Sequence, residues 1–418
     1  MRIVDRPKWR VILAVSAGNA LEWFDFVLYG YFAATIAKTF FPLGNEAVSL
    51  LVTLATFGVA FVVRPLGALV LGRYGDRRGR RPALLLTLSL MAAGTGIIAF
   101  APSYSLAGIA ASVLVVGGRM LQGFSAGGEF GSATAYLAEQ NPHRRGFLSS
   151  MQFTGQAGVA ALATLTGVLV TKALSTEQLL AWGWRIPFVL GLAVAPVAYY
   201  IRSRVAESPE FRAISSGARP NPLDVRHSWK TLLVAIGLVV VLTVGTYTLI
   251  FMPAFAVTEL GLPPSTGFLA SLLTSLVQAS IVPVAGALSD RWGRLPIAYV
   301  ATIGILFAAY PLFARMTATP TLSTVLSFQI VIGSFVAAYA GVLPALMSEL
   351  FPAYVRVTGV SIGYSLAVSV FGGFAPFINA LLIEATGSKV VPAFYVMSAA
   401  LVTIMALTAV WKASVRIA

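Results

Sequence analysis

Gly72-Arg73-Tyr74-Gly75-Asp76-Arg77-Arg78-Gly79-Arg80-Arg81-Pro82 is a short cationic turn set between two long apolar runs. It returns 214 residues later: Gly72, Asp76, Arg77, Gly79, Arg80 and Pro82 are matched by Gly286, Asp290, Arg291, Gly293, Arg294 and Pro296. A second echo, at an offset of 210, pairs Glu139 and Pro142 with Glu349 and Pro352, with Arg145 and Arg356 just beyond. Six matches at one offset argue for an internal duplication. Between the copies, Arg202 to Lys230 is polar and carries Pro209, Pro220 and Pro222, the composition of a linker. The chain therefore divides into a first half over 1–202, a linker over 203–228 and a second half over 229–418.

The rest of the sequence supplies what those turns connect. Of 418 residues 58% are hydrophobic and 11% charged, with a mean hydropathy of +0.85, whereas soluble domains carry about 25% charged residues. A spanning helix needs about 20 apolar residues, and apolar runs near 10–38, 47–71, 83–101, 106–138, 147–171, 183–202, 229–258, 264–288, 295–314, 321–349, 357–386 and 390–412 predict twelve. Lipid tolerates no unpaired backbone, and these runs are too long for barrel strands. An all-α membrane protein of two six-helix halves follows.

The net charge of +14 would suggest nucleic acid in a soluble protein, but its distribution decides otherwise. With the N-terminus inside, 22 of the 29 Lys and Arg fall on the cytoplasmic side, which puts both termini in the cytoplasm. The basic excess then faces the lipid bilayer, and no nucleic-acid partner is expected. The basic start from Arg2 to Arg10 imitates a signal peptide, yet the apolar stretch continues through Trp23 to Phe41 as a full span. There is no cysteine, and His143 and His227 have no ligand cluster around them, so no metal site is expected. Neither a phosphate-cradling loop nor a dinucleotide fingerprint is present. No cofactor is expected, and any work must draw on a gradient.

The repeated turn resembles the loop motif that the major facilitator superfamily carries between its second and third helices, and again between helices eight and nine. Gly18-Asn19-Ala20-Leu21-Glu22-Trp23-Phe24-Asp25-Phe26, Arg64-Pro65-Leu66-Gly67, the run from Gly118-Arg119 through Gln122-Gly123 to Glu129, and Gly183-Trp184-Arg185 are similar to its metabolite:proton symporter branch. Arg356-Val357-Thr358-Gly359 and Gly372-Gly373-Phe374-Ala375-Pro376 extend the match into the second half. The resemblance covers nearly the whole chain. It implies a carrier in a bacterial inner membrane, functional as a monomer, with the solute site midway between the halves. Branch members carry citrate, tricarballylate, 2-oxoglutarate, shikimate, or proline and betaine. In the family the repeated motif is a latch between conformations, a role that would fall to Gly72, Asp76, Arg77, Gly79, Arg80, Asp290, Arg291 and Arg294. On its own chemistry, Asp76 can face the positive end of a helix dipole while the arginines offer forked donors. The alternative is that these arginines only enforce topology.

Charge inside the spans is scarce, because an ionised side chain near the bilayer centre costs at least about 2.5 to 3.5 kcal/mol. The spans place Glu22 and Asp25 in helix one, Arg64 in helix two, and Arg119 and Glu129 in helix four. Asn19, Glu22 and Asp25 share a helix face, and Asp25 and Arg119 lie at similar depth. An acid on helix one opposite an arginine on helix four resembles the proton-coupling pair of sugar:proton carriers. Asp25, Glu22 and Glu129 are the candidate proton carriers; Arg119, Arg64, Asn19 and Gln122 are candidates for solute. The alternative is a permanent ion pair that fixes packing.

At the 210 offset Gln329 stands opposite Arg119 and Tyr339 opposite Glu129, so the second half offers neutral hydrogen-bonding groups. Tyr247, Gln278, Gln329, Tyr339, Tyr364 and Asn379 are its candidates. Three acids against two arginines sum to −1, and taking up two protons makes the site +1. Proton uptake thus draws in an anion, which the arginine forks can hold. Partners are then protons and a small organic anion, most simply a di- or tricarboxylate such as citrate. A proline or betaine symporter is the nearest alternative. Osmosensing carriers of that type bear a long C-terminal coiled coil, and this sequence stops seven residues after Trp411. Drug:proton antiport sits poorly with paired arginines, and a membrane sensor would bring a signalling domain. No nucleophile, base and orienter set suggests an enzyme.

Overall fold

The computed structural model describes residues 23–78, 80–139, 141–203, 229–351 and 356–417. Every regular element among them is helical. Residues 23–31 form α1, which continues with little break into α2 (Ala33–Phe40). Then come α3 (Glu46–Arg78), α4 (Arg80–Phe100), α5 (Ile109–Ser125), α6 (Glu129–Glu139), α7 (Arg145–Ala173) and α8 (Arg185–Ser203). Beyond residue 228 follow α9 (Trp229–Thr258), α10 (Pro264–Trp292), α11 (Arg294–Ala318), α12 (Leu322–Leu350), α13 (Arg356–Ala367), α14 (Ala375–Thr386) and α15 (Val391–Ile417). The expected linker over 203–228 lies almost wholly outside the described residues.

Among the described residues, 8 helices are long and apolar enough to cross a bilayer: Glu46–Leu71, Arg145–Ala173, Trp229–Thr258, Pro264–Trp292, Arg294–Ala318, Leu322–Leu350, Gly359–Thr386 and Val391–Lys412. Leu85–Phe100 and Ile109–Ser125 are shorter apolar helices. The run expected over 106–138 does not form one rod: a tight 3₁₀ turn at Ala126–Gly128 divides α5 from α6, where Gly127 and Gly128 lower helix propensity. The eleventh run is likewise relieved by a π turn at Val368–Gly372 between α13 and α14. Large apolar side chains such as Phe100, Leu106, Phe307 and Met405 are exposed, as a lipid-facing rim requires.

Small residues set the helix contacts that frame the interior. A Cβ on Gly123 would fall 1.9 Å from the Ala60 carbonyl oxygen, and one on Gly67 would fall 1.8 Å from that of Phe124, so α3 and α5 touch backbone to backbone. By contrast Gly117, also on α5, faces open space. α7 lies along α10, and α10 along α12. α9 is 78% buried over its most apolar window against 33% for α11, which puts α9 at the centre and α11 at the rim. Trp182 and Trp292 are exposed, as interface anchors would be. Trp184 is not. It is fully buried edge-on between Phe40 and Phe188, because the π turn at Leu179–Gly183 tucks it inward.

Candidate functional site

The first site residue is Asp25, on α1, buried against α4 and α8. Its Oδ2 accepts a hydrogen bond from the Thr95 hydroxyl, and its Oδ1 has no partner among the described residues. Gly191 on α8 makes room for it, since a Cβ there would sit 2.8 Å from Oδ1. Arg119, on α5 and with no exposed surface, donates from Nη1 to Gln122 Oε1 at 2.8 Å and from Nη2 to the Phe57 carbonyl at 3.4 Å. Gln122 Nε2 in turn donates to Thr95 Oγ1 at 2.9 Å. The acid and the arginine expected to face one another therefore share one cluster, joined through Thr95 and Gln122 with no direct ion pair among the described residues. Thr95 gave little sign of this in the sequence, being one hydroxyl in an apolar run.

Arg64, on α3, completes the buried positive charge. Its guanidinium carbon lies 4.7 Å from the ring centres of both Phe26 and Phe61. That of Arg119 lies 4.8 Å from Phe26, 4.6 Å from Tyr29 and 5.1 Å from Phe57. Aromatic faces attract a cation and replace part of its lost hydration, so this cage lets two like charges sit together away from water. The Nε of each arginine is buried and, among the described residues, unpartnered. Phe26, Phe57, Phe61 and Tyr29 went unmarked in the sequence because an aromatic at helical spacing reads equally well as core.

A cavity of about 70 Å³ opens beside this cluster, between α1, α7, α9, α10, α12 and α13. Tyr247, Gln278, Gln329 and Tyr364 line it, with Trp23, Tyr31, Gln156, Ser271, Thr274 and Ser275. No Asp, Glu, Lys or Arg is among its described lining residues. Gln329 accepts from Ser271 at 3.0 Å and keeps its Nε2 donors unspent, while Gln278 donates to the Gly333 carbonyl at 3.2 Å. Tyr364 stacks on Phe130 at 3.4 Å. Tyr339 and Asn379 bond away from it: the Tyr339 hydroxyl donates to the Leu238 carbonyl at 2.7 Å and Asn379 Nδ2 to Thr248 at 3.0 Å, while Asn379 Oδ1 is buried with no partner among the described residues. Asp25, Arg64, Arg119 and Gln122 do not line this cavity. The Tyr247 ring stands between, 5.2 Å from Phe61, 5.7 Å from Phe57 and 5.7 Å from Trp23. Asn19 and Glu22 lie outside the described residues, as does the side chain of Glu129.

The repeated turn is seen in its second copy. Asp290 accepts from the backbone N–H of Gly146 at 2.8 Å and of Phe147 at 2.9 Å, which are free donors at the start of α7. Arg294 Nη1 donates to Asp290 Oδ1 at 2.7 Å and to Ser289 at 2.9 Å, and its Nε to Glu349 at 3.3 Å. Gly286 packs against Gly146 and Ser150 with no room for a Cβ, and Gly293 takes φ +87° to turn the chain into α11. A carboxylate on a helix N-terminus is the contact anticipated for the first copy. There, Gly79 and the side chains of Gly72, Asp76, Arg77 and Arg80 lie outside the described residues. Arg291 is exposed.

Comparison with known proteins agrees with this architecture. A family model described as "Sugar (and other) transporter" matches residues 11–219, and one described as "Major Facilitator Superfamily" matches residues 234–416. The chain is 38% identical over 412 residues to a citrate-proton symporter of Klebsiella pneumoniae, covering 96% of this chain and 92% of that one. It is 32% identical over 416 residues to a proline/betaine transporter of Escherichia coli strain K12, covering 96% and 83%. The solved structure of the proton:xylose symporter XylE bound to 6-bromo-6-deoxy-D-glucose superposes with a TM-score of 0.79 at 17% identity, over 97% of this chain and 95% of that one, a likeness of fold. The chain belongs to the major facilitator superfamily, in the branch that holds citrate-proton symporters and proline/betaine transporters.

Proposed function

We propose that this chain is a proton-coupled symporter that carries a small organic acid, a di- or tricarboxylate of the citrate type, by alternating access. On this reading it makes twelve spans in two six-helix halves, over 1–202 and 229–418, with both termini in the cytoplasm of a bacterial cell and the bundle in its inner membrane. The observation that carries the reading is the pair of buried guanidiniums, Arg64 and Arg119, each with an Nε donor unspent among the described residues, and a buried carboxylate, Asp25, in the cluster that holds Arg119. A fixed positive charge with free donors is costly unless an anion visits it. Asp25 carries the proton; its protonation removes the negative charge that would repel a carboxylate, and the bound anion favours the proton in return. Relatives that are citrate-proton symporters support the solute class.

A second reading, a proline or betaine symporter, has its own support. Relatives of that type are also close, and a neutral cavity walled by Trp23, Tyr31, Tyr247 and Tyr364 suits a quaternary ammonium. Uptake into liposomes under an imposed pH gradient decides between them, with labelled citrate, tricarballylate, succinate, 2-oxoglutarate, shikimate and betaine. Carboxylate accumulation that is lost in Arg119→Gln and Arg64→Gln is the expected result. Asp25→Asn should abolish accumulation and retain exchange. Betaine accumulation with no response to any acid would overturn the solute class, and an Asp25→Asn protein that still concentrates solute would overturn the proton carrier.

A further inference from the structure

We infer that Thr95 and Gln122 are positioning residues that hold Asp25 and Arg119 as an indirect pair, with the Thr95 hydroxyl turning between two acceptors as Asp25 gains and loses its proton. The inference rests on the reading of Asp25 as the coupling acid and adds the groups that make the coupling reversible.

The geometry fixes the direction of each bond. Gln122 Oε1 faces an arginine, which can only donate, so the amide orientation is set and Nε2 must donate to Thr95 Oγ1. Thr95 therefore always accepts from Gln122 and has a single proton of its own to place. Two acceptors compete for it: Asp25 Oδ2, and the Met91 carbonyl at 3.1 Å one turn back along α4. When Asp25 is ionised, Thr95 gives its proton to the carboxylate. When a proton from water binds Oδ2, that O–H can donate to the second lone pair of Thr95 Oγ1, and the hydroxyl turns to Met91. One proton enters, Thr95 keeps its own, and Asp25 Oδ2, Thr95 Oγ1 and both amide atoms of Gln122 are paired in either state.

Arg119 is held through both states by Gln122 and the Phe57 carbonyl. A direct buried pair would have to be torn apart each time Asp25 is protonated, leaving the arginine uncompensated. The spacer avoids that and keeps the arginine at its post. The charged and titratable groups around Asp25 are Arg119 from α5, Arg64 from α3 beyond the Phe26 ring, and Tyr29 and Tyr247 around Arg119. Among the described residues, α4 contributes Thr95 and Met91 here, and α8 contributes Gly191. Glu22, on the same element, is outside the described residues.

The test is infrared difference spectroscopy of the full-length protein in liposomes. The carboxyl stretch of protonated Asp25, identified by its loss in Asp25→Asn, is followed from pH 4 to 9. Thr95→Val removes a bond that is stronger to the ionised than to the neutral acid, so the midpoint should rise by about one pH unit. Thr95→Ser keeps the hydroxyl and should stay within a few tenths of a unit of wild type, by roughly the spread expected for a retained bond. Gln122→Leu frees Arg119 to approach the carboxylate and should move the midpoint the other way. A wild-type midpoint in Thr95→Val, an equal shift in Thr95→Ser, or both variants moving in the same direction would overturn the inference. So would the absence of any band that Asp25→Asn removes. If the midpoints move as stated while Asp25→Asn still accumulates solute, the relay stands and the coupling role falls.

Discussion

The contact between Asp290 and the start of α7 joins the two halves of the sequence, and removing it should change which end of the molecule is open. In Asp290→Ala two hydrogen bonds from backbone N–H to a carboxylate are lost, at 2.8 and 2.9 Å. Hydrogen bonds to a charged group contribute about 1.5 to 3 kcal/mol each. Asp290 retains 10% side-chain exposure and Arg294 14%, so water can partly replace what is lost and the low end applies. About 3 kcal/mol of bias toward the closed arrangement should disappear, a shift of about 150-fold. Asp290→Asn keeps one acceptor and should lose about half of that bias, roughly tenfold. The chain contains no cysteine, so spin labels can be placed directly at His143→Cys and Lys412→Cys. Electron–electron distance measurements in nanodiscs should then show a longer population growing from wild type through Asn to Ala. Identical distance distributions in wild type and Asp290→Ala would refute the reasoning, as would an Asn variant more open than the Ala variant.

Two further outcomes follow from single contacts. Gly191→Ala introduces a methyl group 2.8 Å from Asp25 Oδ1 and 3.2 Å from the Phe24 ring; it should cut gradient-driven uptake by tenfold or more, roughly the cost of a small misplacement of a reacting group, while exchange falls less, and equal losses of both would count against Asp25 as the acid displaced. At the end of α9, burial lifts the Glu259 carboxyl above the ordinary glutamate value, Glu384 adding to this and Lys389 opposing it. A raised carboxyl binds its proton more tightly in the folded state, so its contribution to stability is fullest at low pH and declines as pH rises above about 4.3 through the lifted range. Glu259→Gln should therefore flatten the pH dependence of thermal unfolding across that window, and an unchanged slope would show that the group does not titrate there.

Much of this was legible because membrane helices leave few alternatives. Apolar runs gave the helices, and the offset of 214 found Asp290 through its copy Asp76 before any contact was known. Depth along a helix is enough to bring Asp25 and Arg119 into one cluster, since rise per residue is fixed. What depth could not give was the partner at each atom. Thr95 lies between the two charges only because α4 is drawn against α5 at Gly94 and Gly118, where a Cβ on Gly94 would meet the Gly118 carbonyl oxygen at 2.8 Å. That depends on packing in three dimensions and leaves no periodic signal. Trp184 shows the same limit: it stands at the start of an apolar run, where a tryptophan can anchor at the interface, and a single π turn puts it in the core.

The separation of charge from cavity bears on how a carboxylate could use both. At about 70 Å³ the cavity is well below the roughly 300 Å³ at which small-molecule pockets begin, and the arginines lie behind Tyr247, Phe57 and Phe61. On the proposed function, solute must therefore enter by parting this aromatic layer, and Tyr247 is where it is least well anchored. Its hydroxyl is buried with no partner among the described residues, as is that of Thr243 four residues earlier on α9. Each such orphan costs about 1 to 3 kcal/mol. A Cβ on Gly372, in the π turn, would meet Thr243 Oγ1 at 1.9 Å and the Tyr247 ring at 2.7 Å, so the turn presses on the same face that carries both hydroxyls. A carboxylate arriving in the cavity offers those hydroxyls an acceptor and the guanidiniums a counter-charge. The anion would thus recover part of the cost of moving Tyr247, whereas an apolar molecule of the same size would recover none. The layer then acts as a filter for charge as well as a barrier.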